Sequence, residues 1–246
     1  MKISILTLFP EMFEGPFHHS IIKHAMLKKI LTLAYINIRD FGIGKHKIVD
    51  DKPYGGGAGM LLRVDVLAKA IAKAKCNAYE RSKTCKEKVI LLDPQGTVFD
   101  QKVAHKLAKI NHLILICSHY EGVDQRVRNL VDEEISIGDY VLTGGEIPAM
   151  VITDAVIRLL PGVLGKETSN KLESFQKFPV ALQHGEKLTS STLLEYPQYT
   201  RPVVFEGENV PDILLSGNHG KIALWRKEEA LKNTKKKRPD LLKTRK

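Results

Sequence analysis

The chain has 246 residues, of which 43% are hydrophobic and 27% are charged. This composition is typical of a globular protein with one large domain or two small ones, and it excludes a disordered or fibrous chain. Thirty-eight Lys and Arg residues against 28 Asp and Glu residues give a net charge of +10. Such an excess is typical either of a protein with a polyanionic partner or of a solvated basic surface.

Two further features bear on the location of the protein. No apolar run approaches the roughly 20 residues that a membrane-spanning helix needs, so we expect no membrane association. The three cysteines, Cys76, Cys85 and Cys117, form no CxxC pair and cannot make a complete set of disulfides. This cysteine usage predicts a protein of the reducing cytoplasm.

The first 160 residues alternate short apolar runs with amphipathic stretches. Strands that alternate with helices pair in parallel, so we expect an α/β fold with both faces of the sheet covered. In chain order the pattern predicts a strand at 2–9, a helix at 20–31, a strand at 33–39, a glycine-rich loop at 40–59, a helix at 64–74, a strand at 89–92, a helix at 100–109, a strand at 113–117, a helix at 122–131, a strand at 134–137 and a helix at 147–160.

The pattern changes after Pro161. Residues 162–202 have no sustained period and are rich in Ser, Thr, Gln and Pro, which predicts a linker between domains. The sequence therefore predicts three parts: a domain at 1–161, the linker at 162–202 and a small helical domain at 203–246.

The excess positive charge lies mainly at the C-terminal end. Residues 217–246 contain eleven basic and three acidic residues, which gives 11 − 3 = +8 of the total. Neutralisation of phosphates by such a cluster is a main source of affinity for nucleic acid. The alternative is a solvated tail that lysine keeps soluble.

Glycine marks the candidate ligand site. Three segments, 91–96, 117–122 and 136–145, each have an apolar start followed by a polar turn with glycine. In open α/β sheets ligands bind at the carboxyl ends of the strands, so these turns are candidates for wrapping a small ligand. Plain tight turns are the alternative. The sequence contains neither GxGxxG nor GxxxxGK[ST], which argues against a Rossmann dinucleotide site and a P-loop.

Longer motifs carry a resemblance to a known family. They are VDDKPYGGGAGM at 49–60, YEG at 120–122, SIGDYVLTGGE at 136–146, PGVLG at 161–165, YTRP at 199–202 and LLSGNH at 214–219. Through nearly its whole length the chain resembles the TrmD family, the bacterial tRNA (guanine37-N1)-methyltransferases of the SPOUT superfamily. The resemblance implies a parallel sheet with a deep trefoil knot, a bent S-adenosylmethionine inside the knot, and a homodimer whose two subunits both contact each tRNA. It also implies a linker and C-terminal domain that act on the partner chain, and a requirement for Mg²⁺, although no ligand cluster in the sequence indicates a metal site.

The resemblance implies which residues hold the methyl donor. Three departures stand among or beside them, with Asp93 and Ser118 at positions where the family more often has serine and glycine, and with His119 at a usual arginine. The implied cofactor-binding residues are Leu92, Pro94, Gly96, Ser118, Tyr120, Gly122, Ile137, Gly138, Asp139, Tyr140, Val141, Leu142, Gly144, Gly145 and Pro148.

The reaction itself needs a base and a cation. The N1 of guanine carries a proton, and its removal pushes negative charge onto O6, so a carboxylate and a hydrogen-bond donor are required. By resemblance Glu173 is the base, at a position where the family has aspartate, and Arg158 stabilises O6. Glu121 is implied near the methyl donor and the guanine. The alternatives are a solvated Glu173, an ion pair between Arg158 and Asp154, and a Glu121 that caps the helix at 122–131.

The resemblance places His46, Asp50 and the glycine loop at 55–59 on the RNA side or on the dimer side. For the loop, a plain structural turn is the alternative. Two other functions stay open at this point: a SPOUT methyltransferase that modifies ribose 2′-hydroxyls, and a non-catalytic RNA-binding protein. The implied substrate-binding residues are His46, Asp50, Gly55, Asp154 and His219.

Overall fold

The computed structural model describes residues 1–75, 86–165, 173–177 and 192–242. The chain divides into two compact units, Met1–Gly165 and Lys166–Lys246. The helices and strands of the first unit are β1 (Lys2–Thr7), α1 (Glu14–Phe17), α2 (Ser20–Leu27), β2 (Thr32–Asn37), β3 (Asp50–Asp51), β4 (Leu61–Leu62), α3 (Val64–Ala74), β5 (Glu87–Val98), α4 (Gln101–Leu107), β6 (His112–Cys117), β7 (Glu133–Ser136) and α5 (Glu146–Ile157), with 3₁₀ helices at Pro10–Phe13, Ile38–Phe41 and Gln125–Leu130.

Five strands form one parallel sheet in the order β2-β1-β6-β5-β7. All six residues of β6 are buried, because this central strand is covered on both faces. Ile3 and Ile5 pack with Ile152 of α5 on one face, whereas Leu6 packs with Val66 of α3 on the other. The alternating in-and-out pattern of a strand explains why consecutive apolar residues serve two separate cores. The predicted α/β fold with a parallel sheet is confirmed.

Most predicted elements of this unit are present. The helix at Val64–Ala74 has the predicted bounds, and seven others differ at their ends by at most four residues. The largest of these differences is at α2, which ends at Leu27 rather than at 31. The chain leaves the helix there because Lys29 adopts the left-handed conformation, with φ of 58°.

Strand β5 is longer than predicted. The sequence predicts an end at Leu92, because Asp-Pro-Gln-Gly reads as a turn. In the structure the strand continues to Val98, and its register against β7 shifts between Leu92 and Thr97. The turn residues therefore form an outward bulge within the strand, and both sides of the bulge pair with β7.

The predicted helix at 122–131 is wrong. A 3₁₀ helix at Gln125–Leu130 stands there, and its N-cap is Asp124, whose side chain accepts a hydrogen bond from the backbone N of Arg126. The preceding residues are held by β4, since the backbone N of Leu62 donates to the carbonyl of Gly122 at 3.0 Å. Glu121 therefore does not cap a helix.

The predicted loop at 40–59 contains regular structure. The 3₁₀ helix Ile38–Phe41 extends into its start, and Ile43 and Ile48 form an antiparallel bridge. β3 then pairs antiparallel with β4. A local reading of the sequence does not predict these backbone pairings.

The second unit has short strands and one long helix. Its elements are β8 (Gln176–Lys177), β9 (Thr192–Leu193), β10 (Val204–Phe205), β11 (Glu208–Asn209), α6 (Asp212–Leu215) and α7 (His219–Lys237), with a 3₁₀ helix at Pro239–Leu242. β8 and β9 lie in the predicted linker, yet they pair with each other, and the backbone N of Leu194 donates to Thr234 Oγ1 of α7 at 2.9 Å. Part of the predicted linker therefore packs as part of the second unit.

The apolar residues of the C-terminal part lie on three helical elements. Ile213–Leu215 are in α6, Ile222 and Trp225 are on α7, and Leu241 and Leu242 are in the 3₁₀ helix. In the part of the chain that the structure describes, no helix has the length and apolar character needed to cross a membrane.

Candidate active site

A cleft of about 220 Å³ lies between the bulge of β5 and the ends of β6 and β7. It is smaller than many small-molecule sites, which span roughly 300–1,000 Å³. Its walls come from the three glycine-containing segments that the sequence analysis selected. The predicted cofactor-binding residues that line it are Leu92, Pro94, Ser118, Tyr120, Gly122, Ile137, Gly138, Tyr140, Val141, Leu142, Gly144, Gly145 and Pro148.

Hydrogen bonds tie the three segments into one frame. Ser118 Oγ donates to the carbonyl of Leu92 at 2.7 Å. This bond joins β5, at the start of its bulge, to the residue that follows β6. The backbone N of Gly145 donates to the carbonyl of Ser118 at 2.8 Å, and His119 forms a β-bridge with Gly144. The serine that stands where the family more often has glycine thus adds a side-chain link between two walls of the cleft.

Glycine is required at two crossings of the backbone. A Cβ at Gly145 would lie 2.5 Å from Cα of Cys117 and 2.7 Å from the backbone N of Ser118. A Cβ at Gly96 would lie 2.5 Å from the carbonyl carbon of Glu134 and from the backbone N of Ile135. Both positions put backbone against backbone, so no side chain could rotate away to relieve the clash.

Two predicted cofactor residues lie outside the wall of the cleft. Gly96 serves the close approach of β5 to β7 described above. Asp139 is exposed and, among the described residues, does not line the cleft, whereas its neighbour Tyr140 does. The Tyr140 hydroxyl donates to the carbonyl of Ile137 at 3.2 Å, which holds its ring over Gly138.

Six lining residues were absent from the predicted set. Five of them, all but Ile135, adjoin predicted residues in the same segments and were detectable by position alone. Asp93 also makes contacts of its own, because its carboxylate is turned toward Arg128 at 3.3 Å and accepts from the backbone N of Gln95 at 2.8 Å. Asp93 therefore shapes the bulge of β5. The six residues are Asp93, Gln95, His119, Ile135, Ser136 and Thr143.

A buried acid lies beneath the cleft. Glu146 is 2% exposed and its Oε1 accepts a hydrogen bond from Thr7 Oγ1 at 2.7 Å. Its position in the first turn of α5 is favourable for a negative charge. Burial, together with this carboxylate, raises the pKa of the Cys117 thiol well above its ordinary value. Cys117 is therefore a structural thiol.

The glycine loop at 55–59 contacts Glu121, which lies at the cleft. The backbone N of Glu121 donates to the carbonyl of Met60 at 3.0 Å, and the Glu121 side chain packs against Gly59, where φ is +77°. Any side chain at position 59 would displace the Glu121 carboxylate. Glu121 is exposed and lines the cleft, so its carboxylate is accessible to a ligand at the rim.

Arg158 stands apart from this cleft. It follows α5 as the C-cap residue, and its backbone N donates to the carbonyl of Asp154 at 3.3 Å. Pro148 lines the cleft ten residues earlier on the same helix, and a helix rises 1.5 Å per residue, so the two are about 15 Å apart along the axis. Among the described residues, Arg158 and Asp154 are not part of the cleft wall.

The outer face of α5 is apolar and exposed. Ile147 is 45% exposed and Val151 is 42% exposed. Asp154 and Arg158 follow at spacings of three and four residues, so all four share one side of the helix. The predicted arginine therefore lies at the end of an uncovered apolar stripe.

Glu173 begins a well-anchored segment of the second unit. Its neighbour Ser174 accepts a hydrogen bond from the backbone N of Glu195 at 3.0 Å, and the backbone N of Phe175 donates to the carbonyl of Leu193 at 2.8 Å. The sequence analysis placed Glu173 on a linker, and the two residues that follow it are each held by a hydrogen bond.

The other predicted RNA-side residues are dispersed. His46 is exposed between the bridged residues Ile43 and Ile48, and Asp50 is half-buried in β3. Gly55 is exposed with φ of 86°, and a Cβ at this position would have no neighbouring atom within 4 Å. His219 is exposed at the first position of α7. Within the first unit, neither His46 nor Asp50 lines the cleft that the structure describes.

No metal centre is evident in the described ranges. Within residues 1–75, 86–165, 173–177 and 192–242, no group of three or more His, Cys, Asp or Glu residues is placed to hold an ion.

Comparison with known proteins identifies the family. The model of the family described as tRNA (Guanine-1)-methyltransferase TrmD matches residues 1–244. A protein of Carboxydothermus hydrogenoformans named tRNA (guanine-N(1)-)-methyltransferase is 57% identical over 100% of this chain and 88% of its own length. Proteins of the same name from Dictyoglomus turgidum and Staphylococcus carnosus are 54% and 51% identical over 98% of this chain, and over 90% and 91% of their own lengths. The chain belongs to the TrmD family of tRNA (guanine-N1)-methyltransferases, as its motifs predict.

Proposed function

We propose that the protein transfers a methyl group from S-adenosylmethionine to N1 of guanine 37 in the anticodon loop of tRNA. The observation that carries this proposal is the cleft between the bulge of β5 and the ends of β6 and β7, in a chain that belongs to the TrmD family. Ligands of open α/β sheets bind at that edge. An unpaired loop base is also a target that a protein can take out of its stack.

The residues of the cleft fit the methyl donor. Gly138 and Gly144 let the walls pack closely, since a Cβ at Gly138 would meet the Tyr140 ring at 2.5 Å and a Cβ at Gly144 would meet the Glu146 carboxylate at 2.5 Å. Apolar side chains such as Leu92, Ile137 and Leu142 face the cleft beside backbone polar groups, a combination suited to an adenosine. When bound there, S-adenosylmethionine supplies an electrophilic methyl group.

The chain's own residues handle the proton and the charge. Glu173 accepts the proton of guanine N1, and Arg158 donates hydrogen bonds to O6, where negative charge develops. A positioned base is worth roughly 10²–10⁴-fold in rate. Glu121, at the rim of the cleft, orients the guanine beside the donor. Glutamate at position 173 is one methylene longer than the family's aspartate, and the anchored Ser174 and Phe175 limit how that extra length is used.

A homodimer brings Arg158 to a cleft. Arg158 lies about 15 Å along α5 from the cleft of its own subunit, so a second copy must supply it. The exposed Ile147 and Val151 on the same face support contact between copies through α5, because large uncovered apolar surfaces mark interfaces. Glu173 acts from the partner in the same arrangement, as the family resemblance implies.

Three further proposals follow from the family. We infer a trefoil knot around the cleft, which is supported by the two backbone crossings at Gly96 and Gly145. The second unit, with its basic α7, serves as the helical tRNA-binding part. Because tRNA is a cytoplasmic substrate, the protein acts in the cytoplasm. An Mg²⁺ ion, if the reaction requires one, would accompany the RNA.

The experiment that tests the function uses two tRNA transcripts. Each is incubated with isotopically labelled S-adenosylmethionine, one with guanine and one with adenine at position 37, and the labelled nucleoside is located by mass spectrometry. We expect 1-methylguanosine at position 37 of the first transcript and no label in the second. A ribose methylation that survives the change to adenine would support the 2′-O-methyltransferase alternative. Binding without any transfer would support the non-catalytic alternative. Either result would refute the proposal.

A further inference from the structure

A second pocket, of about 630 Å³, lies wholly within the second unit. One wall is the extended segment 196–201, which follows β9. The opposite wall includes Leu214 of α6 and Ile222 and Arg226 of α7. Its volume is within the roughly 300–1,000 Å³ that small-molecule sites span. The methyl transfer proposed above uses none of these side chains.

Two tyrosine rings line this pocket. The guanidinium carbon of Arg226 lies 4.9 Å from the ring centroid of Tyr196, a cation–π contact that occupies one face of that ring. Tyr199 is different, because it is 50% exposed and its nearest aromatic partner, Trp225, lies 6.5 Å away between centroids. The Tyr199 ring therefore has a face available for a flat partner.

Two side chains of the pocket, Arg201 and Arg226, can only donate hydrogen bonds. Nε of Arg226 is buried and, within the described part of the chain, has no hydrogen-bond acceptor. A buried donor without an acceptor is unfavourable, so an acceptor oxygen from a ligand would be stabilising. Arg201, which is exposed, lines the same pocket. Two guanidinium groups thus border a site with an open aromatic face.

The surrounding charge favours an anion. α7 carries seven Lys and Arg residues against two Glu residues. A peptide or an apolar metabolite would gain little from this excess, whereas a phosphodiester backbone would gain from each cation that it neutralises. Aromatic faces beside arginine are the usual elements of sites for single-stranded nucleic acid.

We propose that this pocket binds an unpaired ribonucleotide of the tRNA, other than the methylated one, with its base stacked on Tyr199. Arg201 and Arg226 then meet oxygens of the base or of the adjacent phosphates. The occupant is unpaired because a base inside a duplex has both faces covered by its neighbours. The inference rests on tRNA being the substrate, and it assigns to the second unit a second contact with one particular nucleotide.

The single tryptophan of the chain provides the readout. Trp225 is the only tryptophan in the sequence and its ring is close to that of Tyr199, so its fluorescence reports on a base that stacks there. The full-length protein is titrated with a tRNA transcript and, separately, with a blunt RNA duplex of equal charge. We expect saturable quenching by the tRNA and none by the duplex. Equal quenching by both RNAs would overturn the proposal.

Matched variants test the stacking itself. Tyr199→Leu removes the ring, Tyr199→Phe keeps it, and Phe205→Leu removes a ring that is 64% exposed in the same unit but outside the pocket wall. Stacking of one base predicts an affinity loss on the order of tenfold or more for Tyr199→Leu, with near-normal binding for the other two. Equal affinity of Tyr199→Leu and Phe205→Leu for tRNA would refute the pocket.

A second variant and a second assay keep the test decisive. If Tyr199→Leu does not fold, Arg201→Gln at an exposed position replaces it, and we expect weaker tRNA binding with a shallower salt dependence; an unchanged affinity refutes the pocket. Methylation at position 37 is measured on the same wild-type sample. Methylation by the wild type without any effect of the variants refutes only the pocket. Variant-sensitive binding without methylation refutes only the proposed function.

Discussion

Replacement of Gly145 by alanine probes how the cleft is built. The new methyl group would lie 2.5 Å from Cα of Cys117 and 2.7 Å from the backbone N of Ser118. Carbon atoms in favourable contact are about 3.5–4.0 Å apart, so one of the two chains must move by about 1 Å. Neither can yield easily, since Cys117 is the last residue of a fully buried strand.

The displacement has two measurable consequences. Overpacking of this kind costs about 1–3 kcal/mol of the free energy of unfolding. A shift of about 1 Å in a positioning contact lowers a rate by on the order of 10²-fold, and Gly145 also donates the hydrogen bond to Ser118 that joins two walls of the cleft. We therefore expect Gly145→Ala to lower both the urea midpoint and the rate of methyl transfer, and to weaken S-adenosylmethionine binding measured by calorimetry.

Gly220→Ala is the matched control. Gly220 lies in α7, and the nearest atom to a Cβ there would be Asn218 Oδ1 at 3.6 Å, an ordinary van der Waals distance. Alanine favours a helix over glycine by up to about 1 kcal/mol. This variant should unfold at the same or a higher urea concentration and bind the methyl donor normally. If Gly145→Ala behaves like Gly220→Ala in all three measurements, the backbone crossing is not what shapes the cleft.

Three other predictions concern reactivity, pH and salt. Because burial raises the pKa of the Cys117 thiol, iodoacetamide at neutral pH should leave the Cys117 peptide unlabelled in the native protein and label it in urea; native labelling would contradict its burial. A hydrogen bond from Arg126 lowers the pKa of Asp124 below its ordinary 3.8, so this pair stabilises the fold above that pH, and the contribution disappears as the pH falls through the lowered pKa. Asp124→Asn, which can still cap the 3₁₀ helix, should cost at most about 1 kcal/mol at pH 7, and its difference from wild type in urea unfolding should shrink toward pH 3; a difference that grows on acidification would be the wrong sign. Binding of tRNA should weaken steeply as salt is raised, and changing Lys235, Lys236 and Lys237 of α7 to Gln should reduce the slope of log affinity against log salt by roughly 1 for each phosphate that α7 no longer neutralises; an unchanged slope would remove α7 from the interface.

Local pattern predicted the strands and helices that carry a strong period. The helix at Val64–Ala74 was predicted with its observed bounds, because its apolar residues recur at helical spacing. The run Leu113–Cys117 was predicted as a buried strand from continuous apolar character alone. In both cases the pattern of neighbouring residues in the sequence is enough to predict the element.

Long-range pairing explains the elements that pattern alone did not predict. β5 passes through Pro94 and Gly96 because β7 pairs with it on both sides of the bulge, and no local signal encodes that register. Residues 122–124 are held by Leu62 rather than by a helix of their own. Contacts between residues that are 38 to 62 positions apart override local propensity in such places.

Local pattern likewise predicted only a part of the candidate site. Glycine-rich turns at strand ends predicted where a ligand would bind, and the structure gathers those turns around one cleft. The identity of the ligand and the roles of Arg158 and Glu173 came from the family resemblance, because nothing in the spacing of these residues links them to the cleft. Arg158 shows why, since it lies about 15 Å along α5 from Pro148 in the cleft wall.

The central claim is that the carboxylate of Glu173 ionises guanine N1, and single-turnover methyl transfer by Glu173→Gln tests it most directly. The rate is measured with enzyme in excess over tRNA, after calorimetry has verified that the methyl donor and tRNA still bind. We predict a fall of roughly 10²–10⁴-fold with both affinities retained, and partial recovery in Glu173→Asp. A glutamine variant that transfers the methyl group at the wild-type rate would contradict the account.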